Sequence, residues 1–142
     1  MEQREQQLKD FFTGYEQRFN RFLKGESLEV ESTARSFSSC FIEASPKGVN
    51  CGQNDLQFRS MIPAGYEFYR SIGITAMDIL SKNITLLDDF HAMVKVHWNS
   101  RFTGKDNVKG TIEFDVIYLL QTNEDFPKIF AYITGDEQAA LK

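Results

Sequence analysis

Two runs decide the fold: DFHAMVKVHWNSRF at residues 89–102 and GTIEFDVIYLLQ at 110–121, joined by TGKDNVK at 103–109. Both alternate. Ala92, Val94, Val96 and Trp98 fall on one parity of the first run, with His91, Lys95, His97, Asn99 and Arg101 on the other. In the second run, Ile112, Phe114, Val116, Tyr118 and Leu120 interleave with Glu113, Asp115, Ile117 and Leu119. A period of two is that of a strand with its faces in different surroundings. The short polar connection predicts an antiparallel hairpin. With Phe102 opposite Gly110, Trp98 faces Phe114, Val96 faces Val116 and Val94 faces Tyr118 on one side. His97 faces Asp115, Asn99 faces Glu113 and Lys95 faces Ile117 on the other. A slip of one residue would mix the two faces; a slip of two would keep them but part His97 from Asp115.

Outward from this hairpin, the same period predicts strands at about 74–87 and 128–134, with turns at Asp88-Asp89 and at Thr122 to Pro127. Setting residue 121 opposite 127 brings Tyr118 to Phe130 and Val116 to Tyr132. The reverse face then receives Leu119 by Ile129 and Ile117 by Ala131. One face is aromatic throughout; the other is polar at one end and aliphatic at the other. A sheet apolar on both sides needs two covers. Helices supply one, and a second subunit is the simplest other.

The helices precede residue 73. Leu8, Phe11, Phe12, Tyr15, Phe19, Phe22 and Leu23 recur at spacings of three and four, with Gln3, Glu5, Arg18 and Arg21 off that stripe, and Gly25 is a natural stop. Ser27 is read as the cap of a second helix burying Leu28, Val30, Ala34, Phe37 and Phe41. Residues 42–53 are rich in turn signals and leave room for a short extended piece. Asn54 or Asp55 caps a third helix running to about Ser71, with Leu56, Phe58, Ile62, Gly65, Tyr66 and Tyr69 buried. A kink or break is expected at Pro63, and Gly73 ends the helix. Residues 135–142 form a short helical tail in this reading, where Asp136 and Glu137 could reach a pocket mouth. Helices followed by a meandering sheet make one α+β domain over residues 1–142.

Composition narrows the function. The chain has 142 residues, with 16 Lys+Arg against 20 Asp+Glu, a formal charge of −4. Neither half is a basic patch, so no nucleic-acid partner is expected. No run of about 18 apolar residues offers a membrane helix. The opening MEQREQQLKD lacks the apolar centre of a secretory signal, so the expected location is cytoplasmic. Cys40 and Cys51 are read as free, partly buried thiols. With only His91 and His97 beside them, no metal site is expected, and no cofactor. Gly48 and Gly52 lack the strand–helix setting of a phosphate loop.

The order of elements, with PKGVNCGQND at 46–55, YRSIG at 69–73, VKVHW at 94–98, IEFDVIYLLQ at 112–121 and PKIFAYITGDEQ at 127–138, resembles the nuclear transport factor 2-like superfamily. This is the cystatin-like cone fold, and the chain is most similar to its polyketide-cyclase-like and uncharacterised bacterial members. The resemblance covers nearly the whole chain. It implies three N-terminal helices packed on a strongly curved, mostly antiparallel sheet that wraps an internal pocket, and dimers are common. Members include isomerases, dehydratases, cyclases, epoxide hydrolases and non-catalytic transport adaptors. No stretch here matches the acid–base set of the steroid isomerases.

Two candidate sites emerge. Tyr66, Trp98, Phe114, Tyr118, Phe130 and Tyr132 are read as lining a pocket for a small, largely apolar molecule in a homodimer formed through the sheet face. His97 and Asp115 are the candidate acid–base pair of an alternative lyase or isomerase, with Tyr66 or Tyr118 as hydrogen-bond donor. A protein-interaction module using the open sheet face is the third reading. Strict alternation sets the aromatic lining and the His97–Asp115 pair on opposite faces, so a bulge or strong curvature is needed to bring both to one cavity.

Overall fold

The structure is a computed structural model that describes residues 2–122 and 126–135. Asp136, Glu137 and the proposed helical tail lie outside the described residues. The elements run α1 (Glu2–Leu23), α2 (Val30–Arg35), β1 (Phe37–Ser45), β2 (Gly48–Gln53), α3 (Leu56–Ser71), β3 (Ile74–Leu86), β4 (His91–Thr103), β5 (Lys109–Gln121) and β6 (Lys128–Thr134). Six strands form one curved sheet in the order β2-β1-β6-β5-β4-β3. Every neighbouring pair is antiparallel except β1 and β6.

α1 forms because its apolar stripe has somewhere to go: Leu8 and Phe12 are fully buried, and Phe19 and Phe22 nearly so. It ends in a Schellman turn. Gly25 takes φ +99°, its N–H reaches the Phe22 carbonyl, and the Glu26 N–H reaches Arg21. The helix also closes the β3 edge. Asn20 donates to the Met77 carbonyl at 2.7 Å and accepts from the Met77 N–H at 2.8 Å. Glu16 accepts from the Ile79 N–H at 2.6 Å, just where β3 slips register between Ile79 and Ser81. α3 starts as expected, with the Asp55 carboxylate accepting from the Phe58 N–H at 2.9 Å, and it continues through Pro63 without a break.

Three sequence expectations change. The second helix stops at Arg35, and Phe37 and Phe41 belong to β1, which pairs with β2 as a hairpin between α2 and α3. Residues four apart share a face in both a helix and a strand, so this pair could not decide between them. The serines at 36, 38 and 39 favour leaving the helix. Leu56 is 84% exposed, not buried, and Gly65 is exposed as well. The two thiols are free but exposed.

The β4–β5 register is the one read from the sequence, with Trp98 opposite Phe114 and His97 opposite Asp115. The β5–β6 register is not. Tyr118 pairs with Tyr132 and Leu119 with Ala131, while Leu120 pairs with Ile129; Phe130 is the extra residue of a bulge. Ile129 therefore turns inward and is fully buried, and Ile133 takes its place outside, opposite Ile117.

Candidate functional site

The concave face of the sheet, α1 and α3 border a cavity of about 860 Å³ that is open to solvent on one side. This is within the usual range for small-molecule sites, roughly 300–1,000 Å³. Alternation along β4 and β5 turns Trp98, Phe114, Val116 and Tyr118 into it, and β6 adds Tyr132. α3 contributes Phe58, Ile62, Tyr66 and Tyr69 at helical spacing, and α1 contributes Tyr15 and Phe19. All five tyrosines of the chain line this one space. Glu43, Lys47, Asn50, Asp55 and Gln57 also line it, all of them exposed at its rim.

The aromatic wall is continuous. Phe19 meets Tyr66 edge-on at 4.6 Å, Phe41 lies 4.9 Å from Phe58, and Phe12 lies 4.9 Å from Tyr118. The buried Trp98 Nε1–H donates to the Tyr118 hydroxyl at 3.3 Å. Burial, followed by the neighbouring tyrosines Tyr66, Tyr118, Tyr132 and Tyr69, holds the Tyr15 phenol well above its usual range. Burial also raises Tyr66. The Thr33 hydroxyl beside it acts in the opposite direction without meeting hydrogen-bond geometry, as does the positive charge of Arg18. At neutral pH Tyr15 and Tyr66 are therefore neutral phenols able to donate to an acceptor.

Tyr66, Trp98, Phe114, Tyr118 and Tyr132 stand where the sequence reading puts them, on the cavity wall. Phe130 does not line the cavity. The β6 bulge turns it toward His91, with ring centres 5.9 Å apart. Tyr15 and Met77 also line the cavity but carry no distinguishing signal in the sequence, because a cavity-facing residue on an amphipathic helix or a strand has the same periodicity as a core residue.

His97 and Asp115 form their pair, on the convex face. His97 Nδ1 lies 2.7 Å from Asp115 Oδ1, and its Nε2 lies 2.6 Å from Glu113 Oε1. Lys95 Nζ approaches the other Asp115 oxygen at 3.8 Å. Glu113 first, then Asp115, raise the His97 pKa, and both ring nitrogens are occupied by carboxylates. No bulge carries the pair inward, so a molecule in the cavity has Trp98 and Phe114 between it and His97. His91 is held by Asp88 at 2.8 Å near the surface. Among the described residues, no group of three or more His, Cys, Asp or Glu is placed to hold a metal ion, and no helix is long and apolar enough to cross a membrane.

Residues 4–137 match the model of a family described as NTF2-like protein (DUF6841). Solved structures share the fold at low identity. An NTF-2 like protein of unknown function from Shewanella oneidensis is 16% identical, with a TM-score of 0.67 over 92% of this chain and 98% of that one. An NTF2-like protein with a cystatin-like fold from Novosphingobium aromaticivorans is 10% identical, with a TM-score of 0.68 over 97% and 86%. A ketosteroid isomerase-like protein from Erwinia carotovora is 12% identical, with a TM-score of 0.57 over 92% and 91%. No curated protein matched the chain.

Proposed function

The chain belongs to the NTF2-like protein family DUF6841, and on that premise we propose that it binds a small, largely apolar molecule in the cavity between α1, α3 and the concave face of the sheet. The carrying observation is the lining: Trp98, Phe114 and five tyrosines around about 860 Å³, with the charged side chains among the described lining residues at the rim. Aromatic walls supply dispersion and buried area, and phenol hydroxyls supply a few oriented donors. The His97–Asp115 pair gives no support to acid–base chemistry in this cavity, because it faces the other way. A thermal-shift screen of neutral aromatic and terpenoid probes tests the reading. A ligand at about 100 times its Kd adds roughly 2.7 kcal/mol to stability. A panel of such probes that leaves the melting temperature unmoved at millimolar concentration would count against it.

The convex face supports pairing of two copies. Across the sheet, Met93, Leu119, Ala131 and Ile42 form one row, and Ile117, Ile133, Ala44 and Val49 form the next. Ile42, Ile133 and Val49 are 43%, 46% and 68% exposed, an apolar area whose burial is worth about 25 cal/mol per Å². In this proposal Ile133→Asp yields a folded monomer by sedimentation. Ile129→Asp instead prevents folding, since it places a carboxylate in the core. A wild type that is monomeric at micromolar concentration would remove the interface.

A further inference from the structure

Where Thr33 and Tyr66 line the cavity, one buried hydroxyl stands without a hydrogen-bond partner. Thr33, on α2, is 4% exposed and lines the cavity, yet its hydroxyl makes no hydrogen bond. Tyr66 stands beside it on α3. Arg18, one turn beyond Tyr15 on α1, does not itself line the cavity but stands close to both tyrosines. Its Cζ lies 5.7 Å from the Tyr15 ring centre, and its charge is felt at Tyr66. A guanidinium has five N–H donors. Here Nη2 donates to the Ser36 hydroxyl at 3.0 Å, while the buried Nε has no acceptor. Among the described residues, no carboxylate pairs with Arg18. Among the described residues, the carboxylates that line the cavity are engaged or placed elsewhere: Asp55 caps α3 by accepting from the Phe58 N–H, and Glu43 is exposed on β1.

A half-buried cation with no carboxylate partner among the described residues, near an unsatisfied hydroxyl and a neutral phenol, suits an anionic group. We propose that Thr33 and Tyr66, with the Arg18 charge close by, form a carboxylate-recognition end of the cavity, so that its ligand is an organic acid with an aromatic or aliphatic body. The proposal rests on the cavity being the ligand site and adds the head group. The body packs against Trp98, Tyr118 and Phe58. The carboxylate accepts from the Thr33 and Tyr66 hydroxyls, and the Arg18 charge close by favours the anion over a neutral isostere.

Matched probes separate the two layers. Hydrocinnamate, naphthoate and decanoate, each against its primary amide, are titrated by calorimetry into the wild type and into Arg18→Met, Arg18→Lys and Thr33→Val. The expected result is a preference for acid over amide of about tenfold or more, the scale of a hydrogen bond to a charged group. It should fall to near parity in Arg18→Met and survive in part in Arg18→Lys. Thr33→Val should weaken the acids more than the amides, whose carbonyl accepts without a charge, and should not lower the melting temperature, because the hydroxyl it removes has no partner within the protein. Should Arg18→Met fail to fold, Thr33→Val and Arg18→Lys carry the comparison. Acids and amides binding equally to the wild type, or a preference unchanged in both Arg18→Met and Thr33→Val, overturns the carboxylate end and leaves the cavity reading standing. Failure of every acid and every amide to bind overturns both.

Discussion

Gly65 offers a way to close the cavity without damaging the protein. It lies inside α3 on the face that carries Phe58, Ile62, Tyr66 and Tyr69, it lines the cavity, and a Cβ built there meets nothing within 4 Å. Glycine within a helix costs about 0.5–1 kcal/mol relative to alanine. Gly65→Ala should therefore stabilise by that amount, which is roughly 2–4 °C per kcal/mol in a domain of this size. A single methyl leaves the cavity open, so probe binding should persist. Gly65→Trp keeps part of the backbone gain and projects a large ring toward the cavity. It should fold as well as the wild type and lose the ligand-induced shift, worth about 2.7 kcal/mol for a probe at 100 times its Kd. Differential scanning fluorimetry with and without probe reads both quantities at once. A Gly65→Trp protein that binds with wild-type affinity, or a Gly65→Ala protein that melts lower than the wild type, would refute the placement of α3 over the cavity.

Gly73→Ala should be strongly destabilising, by at least about 2 kcal/mol in urea unfolding, because Gly73 takes φ +95° and a Cβ there would collide with the Thr103 carbonyl oxygen. Near wild-type stability would contradict that close approach between the α3–β3 turn and the end of β4. His97 has a native pKa raised by Glu113 and Asp115, so the stability it contributes is fully present below the ordinary histidine value of about 6.5 and is lost as pH rises through the native value. Glu113→Gln and Asp115→Asn should each lower the His97 midpoint in an NMR titration, Glu113→Gln the more; a midpoint unmoved by either would show that the pair does not form in solution.

How much was legible follows from what sets each register. The β4–β5 hairpin has a short connection and two cleanly segregated faces, so only one alignment put Trp98 by Phe114 and His97 by Asp115. Between β5 and β6 the connection does not fix the register, and a bulge adds one residue to β6. An unbroken period of two carried past that bulge places Phe130 inside and Ile129 outside, the reverse of the structure. The β1–β2 hairpin was hidden for a different reason: Phe37 and Phe41 satisfy both periods, and the parallel pairing of β1 with β6 spans most of the chain. Trp98, Phe114 and Tyr118 were readable as cavity wall because they are large aromatics on one strand face. Arg18 was readable only as a residue off the α1 stripe; its surroundings depend on Ser36 and Tyr66 folding close to it.

The central claim is that a small molecule binds on the concave face and nowhere else on the sheet. Three methionines report on it from different places: Met77 is buried and lines the cavity, Met61 lines it from an exposed position on α3, and Met93 sits on the convex face opposite Leu119. Carbon-13 methyl NMR during titration with a bound probe such as naphthoate or its amide tests all three together. The Met77 and Met61 methyls should shift in a saturable way with one shared dissociation constant while Met93 stays in place. Saturable movement of Met93 with Met77 and Met61 unmoved would place the ligand on the wrong side of the sheet and contradict the account.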